Sequence, residues 1–199
     1  MPKFKLFREA EARVRLLTVP EFERLLRELP EHLADMAVFA VATGLRAANV
    51  KGLQWHAADI ALRHAWVPGR QHKNGAPHPP LNEMALSVVR KQIGKHHAYV
   101  FTYKGQPIGP LNTKSWFAAL LRAGIENFKW HDLRDTFATW HRQAGTPTHE
   151  VQRLGGWKTG AMVERHAHVA PDALQGAASR LDAFGGYVAT TSKEKGPSD

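Results

Sequence analysis

The stretch HLADMAVFAVATG, residues 32–44, constrains the fold more than any other part of the chain. On a helix, its apolar side chains would cover most sides, which is typical of a helix buried at the centre of a domain. Gly44 suits the C-terminal cap of such a helix, because glycine readily adopts the left-handed conformation found there. The stretch therefore predicts a buried central helix ending at residue 43 or 44.

Capping residues and helical periodicity predict further helices on both sides of this stretch. TVPE, residues 18–21, has the form of a capping box and opens a helix that Pro30 should end. Asn82 and Thr113 are suitable N-caps for two later helices. The predicted helices cover residues 21–29, 32–44, 47–55, 83–93, 114–124, 130–143, 147–154, 160–168 and 171–183.

Between residues 58 and 81 the helical pattern gives way to short runs broken by PGR, NG and PP. Such punctuation predicts a small antiparallel strand unit with turns, although adjacent prolines should shorten or distort its second strand. The fold class is therefore mainly α with a small antiparallel β-sheet (α+β). We expect one domain over residues 1–184 and a flexible tail over residues 185–199.

The charge balance indicates the kind of partner. Lys and Arg number 27 against 18 Asp and Glu, a formal net charge of +9, which favours a polyanion and in the first place nucleic acid. Basic residues that serve solubility alone remain the alternative. No apolar run approaches the ~18 residues of a spanning helix, and we expect a soluble intracellular protein without a membrane partner. Because the chain has no cysteine, disulfides, thiolate zinc sites and cysteine nucleophiles are excluded.

The helix that begins at HDLR has two distinct faces. Leu133, Phe137 and Trp140 recur at positions i, i+4 and i+7 and predict its core stripe. His131 and Arg134 lie three residues apart on a neighbouring face, where an imidazole beside a guanidinium could bind a phosphate. The alternative is that Asp135 pairs with His131 on a solvated surface, which would contribute little.

Four motifs follow one another along the chain. They are a Thr-Gly-x-Arg box, a lysine beside an Asn-Gly turn, a His-x-x-Arg box, and a Leu-Gly-Gly-Trp box followed nine residues later by a histidine. Their positions are Arg46, Lys73, His131, Arg134, Trp157 and His166. The series resembles the catalytic domain of the tyrosine recombinases, the phage integrase family, from about Leu17 to Leu181.

The resemblance implies an activity and a partner. Members of the family cleave a phosphodiester of double-stranded DNA with a side-chain hydroxyl, hold a 3′-phosphoryl link and rejoin strands, with no metal or other cofactor. They assemble as tetramers on DNA, whereas an isolated catalytic domain is often monomeric. For this chain the resemblance implies a bacterial or phage-encoded protein that acts on DNA in the cytoplasm.

The same resemblance implies roles for individual residues. Arg46 and Arg134 would stabilise the negative charge of the five-coordinate transition state. Lys73 would protonate the leaving 5′-oxygen, and His131 would donate a hydrogen bond to the phosphate or assist proton transfer. Trp157 stands where the family has His or Trp, and its indole N–H is a donor that needs no titration. Core packing of its ring is compatible with that role.

His166 departs from the family pattern, which has the nucleophilic tyrosine at this position. The tyrosines of this chain are Tyr99, Tyr103 and Tyr187, and none lies in that motif. Three interpretations stay open: an engineered or accidental substitution that disables cleavage, a natural loss that leaves a DNA-binding protein, or a histidine nucleophile. We rank them in that order, because imidazole nitrogens lie nearer the backbone than a tyrosine oxygen and would fall short of in-line attack.

Two further expectations concern metal ions and the missing part of the family's architecture. His166 and His168, two residues apart on a helix, point in different directions and should not chelate one ion, so no metal site is predicted. We also expect the chain to lack the helical N-terminal core-binding domain that family members place before the catalytic domain. We therefore expect weakened sequence-specific binding and a non-specific affinity that falls steeply with salt.

Overall fold

The computed structural model describes residues 15–66 and 79–166, all within the first of two units into which the chain divides, Met1–His168. Their helices are α1 (Val19–Glu28), α2 (Glu31–Thr43), α3 (Ala47–Lys51), α4 (Glu83–Arg90), α5 (Lys114–Arg122), α6 (Asp132–Gln143), α7 (Thr148–Gly155) and α8 (Gly160–His166). The strands are β1 (Ala58–Asp59), β2 (His64–Ala65), β3 (Thr102–Tyr103) and β4 (Gln106–Pro107). The predicted fold class, mainly helical with small antiparallel sheets, is confirmed.

Helix α2 lies at the centre of the main apolar core, as predicted. It contacts α1, α3, α4 and α6, and buried side chains occupy nine of its positions. Gly44 ends the helix in the left-handed conformation, with φ 64°, and its N–H donates to the carbonyl of Ala40. The Cβ of any other residue at position 44 would lie 2.5 Å from the Phe137 ring. Glycine is therefore required here both by the backbone conformation and by the approach of α6.

Caps define the starts of the neighbouring helices. Thr18 and Glu21 form the predicted capping box of α1, with Thr18 accepting from the Glu21 N–H while the Glu21 carboxylate accepts from the Thr18 N–H. The side chains of Asn82 and Thr113 accept from the third residue beyond them, at the starts of α4 and α5. The sequence-based N-caps are thus confirmed at all three positions.

Short antiparallel pairs make up the β structure. Strand β1 pairs with β2, in the register Ala58↔Ala65, and a bridge joins His64 to Pro80. The Pro79 carbonyl accepts from the Ala65 N–H. Proline has no backbone N–H but keeps its carbonyl, so the proline pair can line the edge of β2 as an acceptor. Strands β3 and β4 form a second pair that the sequence did not predict, turned by Lys104 and Gly105 at positive φ.

Two predicted helices end earlier than expected. The helix predicted over residues 47–55 is α3, which ends at Lys51 and is capped by Gly52. The interpretation of residues 83–93 as one helix included Ile93 among its apolar positions, but α4 ends at Arg90 and Ile93 is 61% exposed. Turns follow directly after the helix, and the N–H of Ile93 donates to Arg90 with the three-residue spacing of a tighter turn. The boundary predicted at residue 184, the tail and the helix over 171–183 lie outside the described residues.

Helix α6 separates two apolar clusters. Leu133 belongs to the main core, whereas Phe137 and Ala138 belong to a smaller cluster with Val151, Trp157 and Val163. Helices α7 and α8 pack on this second side. Trp140, expected in the core stripe, is only partly buried, and its Nε1–H donates to the Leu17 carbonyl. Within the described ranges, no helix is long and apolar enough to cross a membrane.

Candidate active site

Arg134 is the most deeply buried basic residue of the predicted site. It lies in the first turn of α6 and is 5% exposed. Its Nη1 donates a short hydrogen bond to the carbonyl of Gly44, the residue that caps α2. The turn that ends α2 thus fixes one side of the guanidinium through the backbone, with no acidic side chain in that contact.

Trp157 fixes the flat face of the same guanidinium. The Arg134 Cζ lies 3.8 Å from the centroid of the Trp157 ring, which is a close cation–π contact. The indole is 6% exposed and stacks with Phe137, whose ring centroid is 6.2 Å away at an interplanar angle of 19°. Trp157 therefore belongs to the second apolar cluster and to the site at once.

A glycine clears the space that the indole occupies. Gly155 is the last residue of α7, and a Cβ built on it would lie 1.8 Å from Cζ3 of Trp157. The next residue, Gly156, adopts φ 65° and caps the helix. The two glycines that precede Trp157 thus serve different purposes, the first by its lack of a side chain and the second by its backbone conformation.

Arg46 brings a second positive charge to Arg134. It is the half-buried N-cap of α3, two residues beyond the Gly44 carbonyl that binds Arg134. Burial lowers the pKa of Arg134 to about 9, the Arg46 charge acts in the same direction, and the Asp135 carboxylate opposes them. Like charges placed together in a buried position raise the local positive potential and favour an anion there.

Part of the Arg134 guanidinium is left for a ligand. Its Nη2 is buried and has no hydrogen-bond partner in the part of the chain that the structure describes. A buried donor without a partner is costly and is uncommon outside functional sites. The arrangement can therefore supply one or more N–H donors to an oxygen of a bound anion.

The other predicted site residues are His131, His166 and Lys73. His131 is the exposed N-cap of α6, and its backbone carbonyl accepts from the Arg134 N–H at 3.0 Å. His166 is the last residue of α8. Lys73, its Asn-Gly turn and His168 lie outside the described residues. The structure thus brings Arg46, Arg134 and Trp157 together and sets His131 one turn away from Arg134.

Asp135 differs from its sequence-based interpretation. It was weighed as a partner of His131 on a solvated helix face, but Asp135 is 6% exposed, whereas His131 is exposed. Its charge instead raises the pKa of both Arg134 and Asp132. Sequence reasoning also gave Gly155 no role of its own, although the Gly-Gly pair before Trp157 was a visible signal.

No group of three or more His, Cys, Asp or Glu residues that could hold a metal ion occurs in the described ranges. The candidate site consists instead of two arginines, a tryptophan and a backbone carbonyl.

Comparison with known proteins identifies the family of the chain. Residues 15–172 match the model of the phage integrase family. The chain belongs to this family. Within the family it is 41% identical, over 209 aligned residues, to the integrase of Salmonella phage P22. That alignment covers 98% of the chain and 54% of the P22 protein, so the chain spans about half the length of this relative.

Solved structures of recombinases share the fold. The XerA recombinase superposes with a TM-score of 0.67 at 18% identity, covering 83% of this chain and 62% of that one. The Tn1549 transposon integrase, in complex with transposon right end DNA, gives 0.66 at 20% identity and covers 88% and 68%. At these identities the superposition establishes the fold, and the chain corresponds to the catalytic domain of the family.

Proposed function

We propose that this chain binds double-stranded DNA and holds one of its phosphodiesters in the pocket formed by Arg46, Arg134 and Trp157. The observation that carries the proposal is the buried Arg134 Nη2, a donor without a described partner, next to a second cation. A non-bridging phosphate oxygen is the acceptor that a guanidinium suits best. The net charge of +9 and the DNA complex of the similar Tn1549 integrase support DNA as the source of that phosphate.

The proposed chemistry is the strand transfer of a site-specific recombinase. Attack on phosphorus adds negative charge to the non-bridging oxygens, and Arg46 and Arg134 would stabilise that charge in a water-poor pocket. Lys73 would give a proton to the leaving 5′-oxygen, while His131 would donate to the phosphate or relay a proton. We further propose that this takes place on DNA between several protomers.

We also propose that the chain as it stands does not cleave DNA. His166 lies nine residues after Trp157, where the family resemblance requires the tyrosine hydroxyl. An imidazole reaches less far from the backbone than a phenol, so its nitrogens would stand short of in-line attack. The chain then keeps the phosphate pocket and lacks the nucleophile.

A salt titration of DNA binding tests the first part. The association constant should fall steeply as salt rises, with a logarithmic slope of roughly −0.9 for each phosphate contacted. Arg134→Met should weaken binding by about tenfold or more, because it removes a charged hydrogen bond. Arg27→Gln, on the exposed surface of α1, is the control. A shallow slope, or equal affinities for both variants, would contradict the proposal.

A nicked DNA substrate that traps the covalent intermediate tests the second part. We expect no adduct on denaturing gels with the unchanged chain and a phosphotyrosyl adduct with His166→Tyr. An acid-labile adduct with the unchanged chain would show that His166 attacks phosphorus and would overturn the proposed inactivity. If neither protein forms an adduct while both bind DNA, the chain is a non-cleaving DNA-binding protein with the recombinase fold.

A further inference from the structure

We propose that Phe137 is a positioning residue, which sets the orientation of the Arg134 guanidinium by holding both of that group's supports. Phe137, on α6, is 2% exposed and belongs to the second apolar cluster. The apolar stripe of α6 predicts Phe137 as a core residue, and burial alone would fulfil that role. The contacts of Phe137 indicate a further role in positioning Arg134.

The first support of Arg134 that Phe137 holds is the indole of Trp157. The Phe137 and Trp157 rings are nearly parallel, at 19°, with their centroids 6.2 Å apart, and the guanidinium contacts the indole at 3.8 Å. A flat ring fixes the tilt of the indole, and the indole plane in turn fixes the guanidinium. Gly155 leaves room for the indole in this position, since a Cβ there would overlap Cζ3.

The second support is the Gly44 carbonyl. Three atoms of the Phe137 ring lie within 2.9 Å of the position that a Cβ on Gly44 would take, so the ring packs directly on this residue. The Gly44 carbonyl accepts from Arg134 Nη1. Phe137 therefore touches the residue that holds one edge of the guanidinium and the ring that holds its face.

Arg134 and Phe137 are three residues apart on α6, so their side chains leave neighbouring positions on the surface of the helix. One rigid element thus carries both the guanidinium and the ring that sets its supports. A side chain of similar volume without a flat face would fill the cluster but would not fix the tilt of the indole.

Side-chain NMR of the DNA-free protein tests this directly. An N–H group held over an indole face resonates upfield of a free arginine, and loss of the signal in Arg134→Lys assigns it. Phe137→Met should move the signal toward the free value, whereas Phe137→Tyr, which keeps the ring, should retain it. The control is Phe101→Met, a buried phenylalanine of the main core that stacks on Phe39. An unchanged signal in folded Phe137→Met, or in Phe137→Leu should the first not fold, would overturn the proposal.

A double-mutant cycle in DNA binding extends the test and rests on the proposed function. Phe137→Met should weaken binding by about tenfold, the loss expected for one displaced charged hydrogen bond. In the Arg134→Met background the same change should have almost no effect, because both act on one contact. Equal losses in both backgrounds would show that Phe137 acts through stability alone. If the unchanged chain fails to bind DNA, the proposed function fails, while the NMR experiment still decides the role of Phe137.

Discussion

Arg46 and Arg134 carry like charges in the candidate site, and the folded chain tolerates the repulsion between them. The pKa of Arg134 falls well below its ordinary value, to about 9, through burial first and through Arg46 second. A cation whose pKa is lower in the folded chain than in the unfolded chain binds its proton less tightly after folding. At neutral pH the charged Arg134 therefore lowers stability, and Arg46 adds to this effect.

Removing Arg46 should make the protein more stable. For Arg46→Gln we expect the melting temperature to rise by about 1–2 °C at low salt, and by less at high salt, where the repulsion is screened. DNA affinity should fall in the same variant, since the proposed phosphate contact is lost. Thermal unfolding at two salt concentrations checks this, with Arg27→Gln as the control. A lower melting temperature for Arg46→Gln than for the control would contradict it.

Gly155 gives a second prediction for a single residue. Alanine normally favours a helix over glycine by about 1 kcal/mol, yet its Cβ at this position would overlap the Trp157 ring. Gly155→Ala should therefore reduce the free energy of unfolding by about 1–3 kcal/mol in chemical denaturation. At Gly160 the nearest atom to a new Cβ is 3.6 Å away, and Gly160→Ala should leave stability unchanged or raise it. Equal effects at both glycines would show that the indole moves freely.

Between elements, a buried polar cluster and an exposed ion pair join α2 to the turns that follow α4. Asp35 on α2 is 4% exposed and accepts from Lys91 Nζ at 3.1 Å and from Gln92 Nε2 at 2.8 Å, just beyond α4. The Glu31 and Lys95 side chains, 4.0 Å apart, are both exposed. Buried polar groups depend on their partners far more than exposed ions do.

This contrast predicts unequal effects of removing two acidic side chains from the same helix. Asp35→Ala should cost about 1–3 kcal/mol of unfolding free energy, because it leaves the buried Gln92 amide without that acceptor. Glu31→Ala should change stability by less than about 0.5 kcal/mol. Urea denaturation of both variants measures the difference. Comparable losses would mean that helix packing, rather than the Asp35 cluster, determines the interaction.

At the same scale, the sequence predicted elements that carry strong local signals and missed those that do not. Capping residues and apolar periodicity located the described helices to within a few residues, because both act within one or two turns. Strands β3 and β4 have two residues each, too few to show an alternating pattern, and the Lys104–Gly105 turn alone was a weak signal.

The sequence named three residues that the fold brings together, but it did not predict the contacts that hold them. The motif series named Arg46, Arg134 and Trp157, which the fold brings together. The stripe pattern identified Phe137 as buried, but periodicity cannot tell which of two clusters a residue joins. The Gly44 carbonyl and the stacking of three side chains depend on contacts between distant segments, which no local pattern contains.

For the whole molecule, acid should reduce stability through two partly buried histidines. Burial lowers the pKa of both His32 and His141 from the ordinary value of 6.5. His32 stacks on Tyr103 with 4.2 Å between ring centroids, and His141 lies edge-on to Phe137 at 4.5 Å. Because their folded pKa values are depressed, the unfolded chain takes up more protons below pH 6.5. Stability is therefore fully present above that pH and is lost as the pH falls.

Unfolding free energies measured on both sides of pH 6.5 check this. The decline below that pH should be smaller in His32→Phe, which keeps a ring on Tyr103 but cannot be protonated. His149→Gln, at an exposed position on α7, is the matched control and should leave the decline as it is. A decline of the same size in His32→Phe would assign the acid sensitivity to other groups.

The attachment of Leu17 has a mechanical consequence for the molecule. Its N–H donates to Thr136 Oγ1 at 3.1 Å, and its carbonyl accepts from Trp140 Nε1 at 2.9 Å, so both backbone groups are tied to α6. Tension applied to the chain at Arg15 would reach α6 at these two points, and would reach α1 through the ion pair between Arg15 and Glu21. Force applied at Arg15 is thus shared between α1, through the Arg15–Glu21 ion pair, and the helix that carries Arg134.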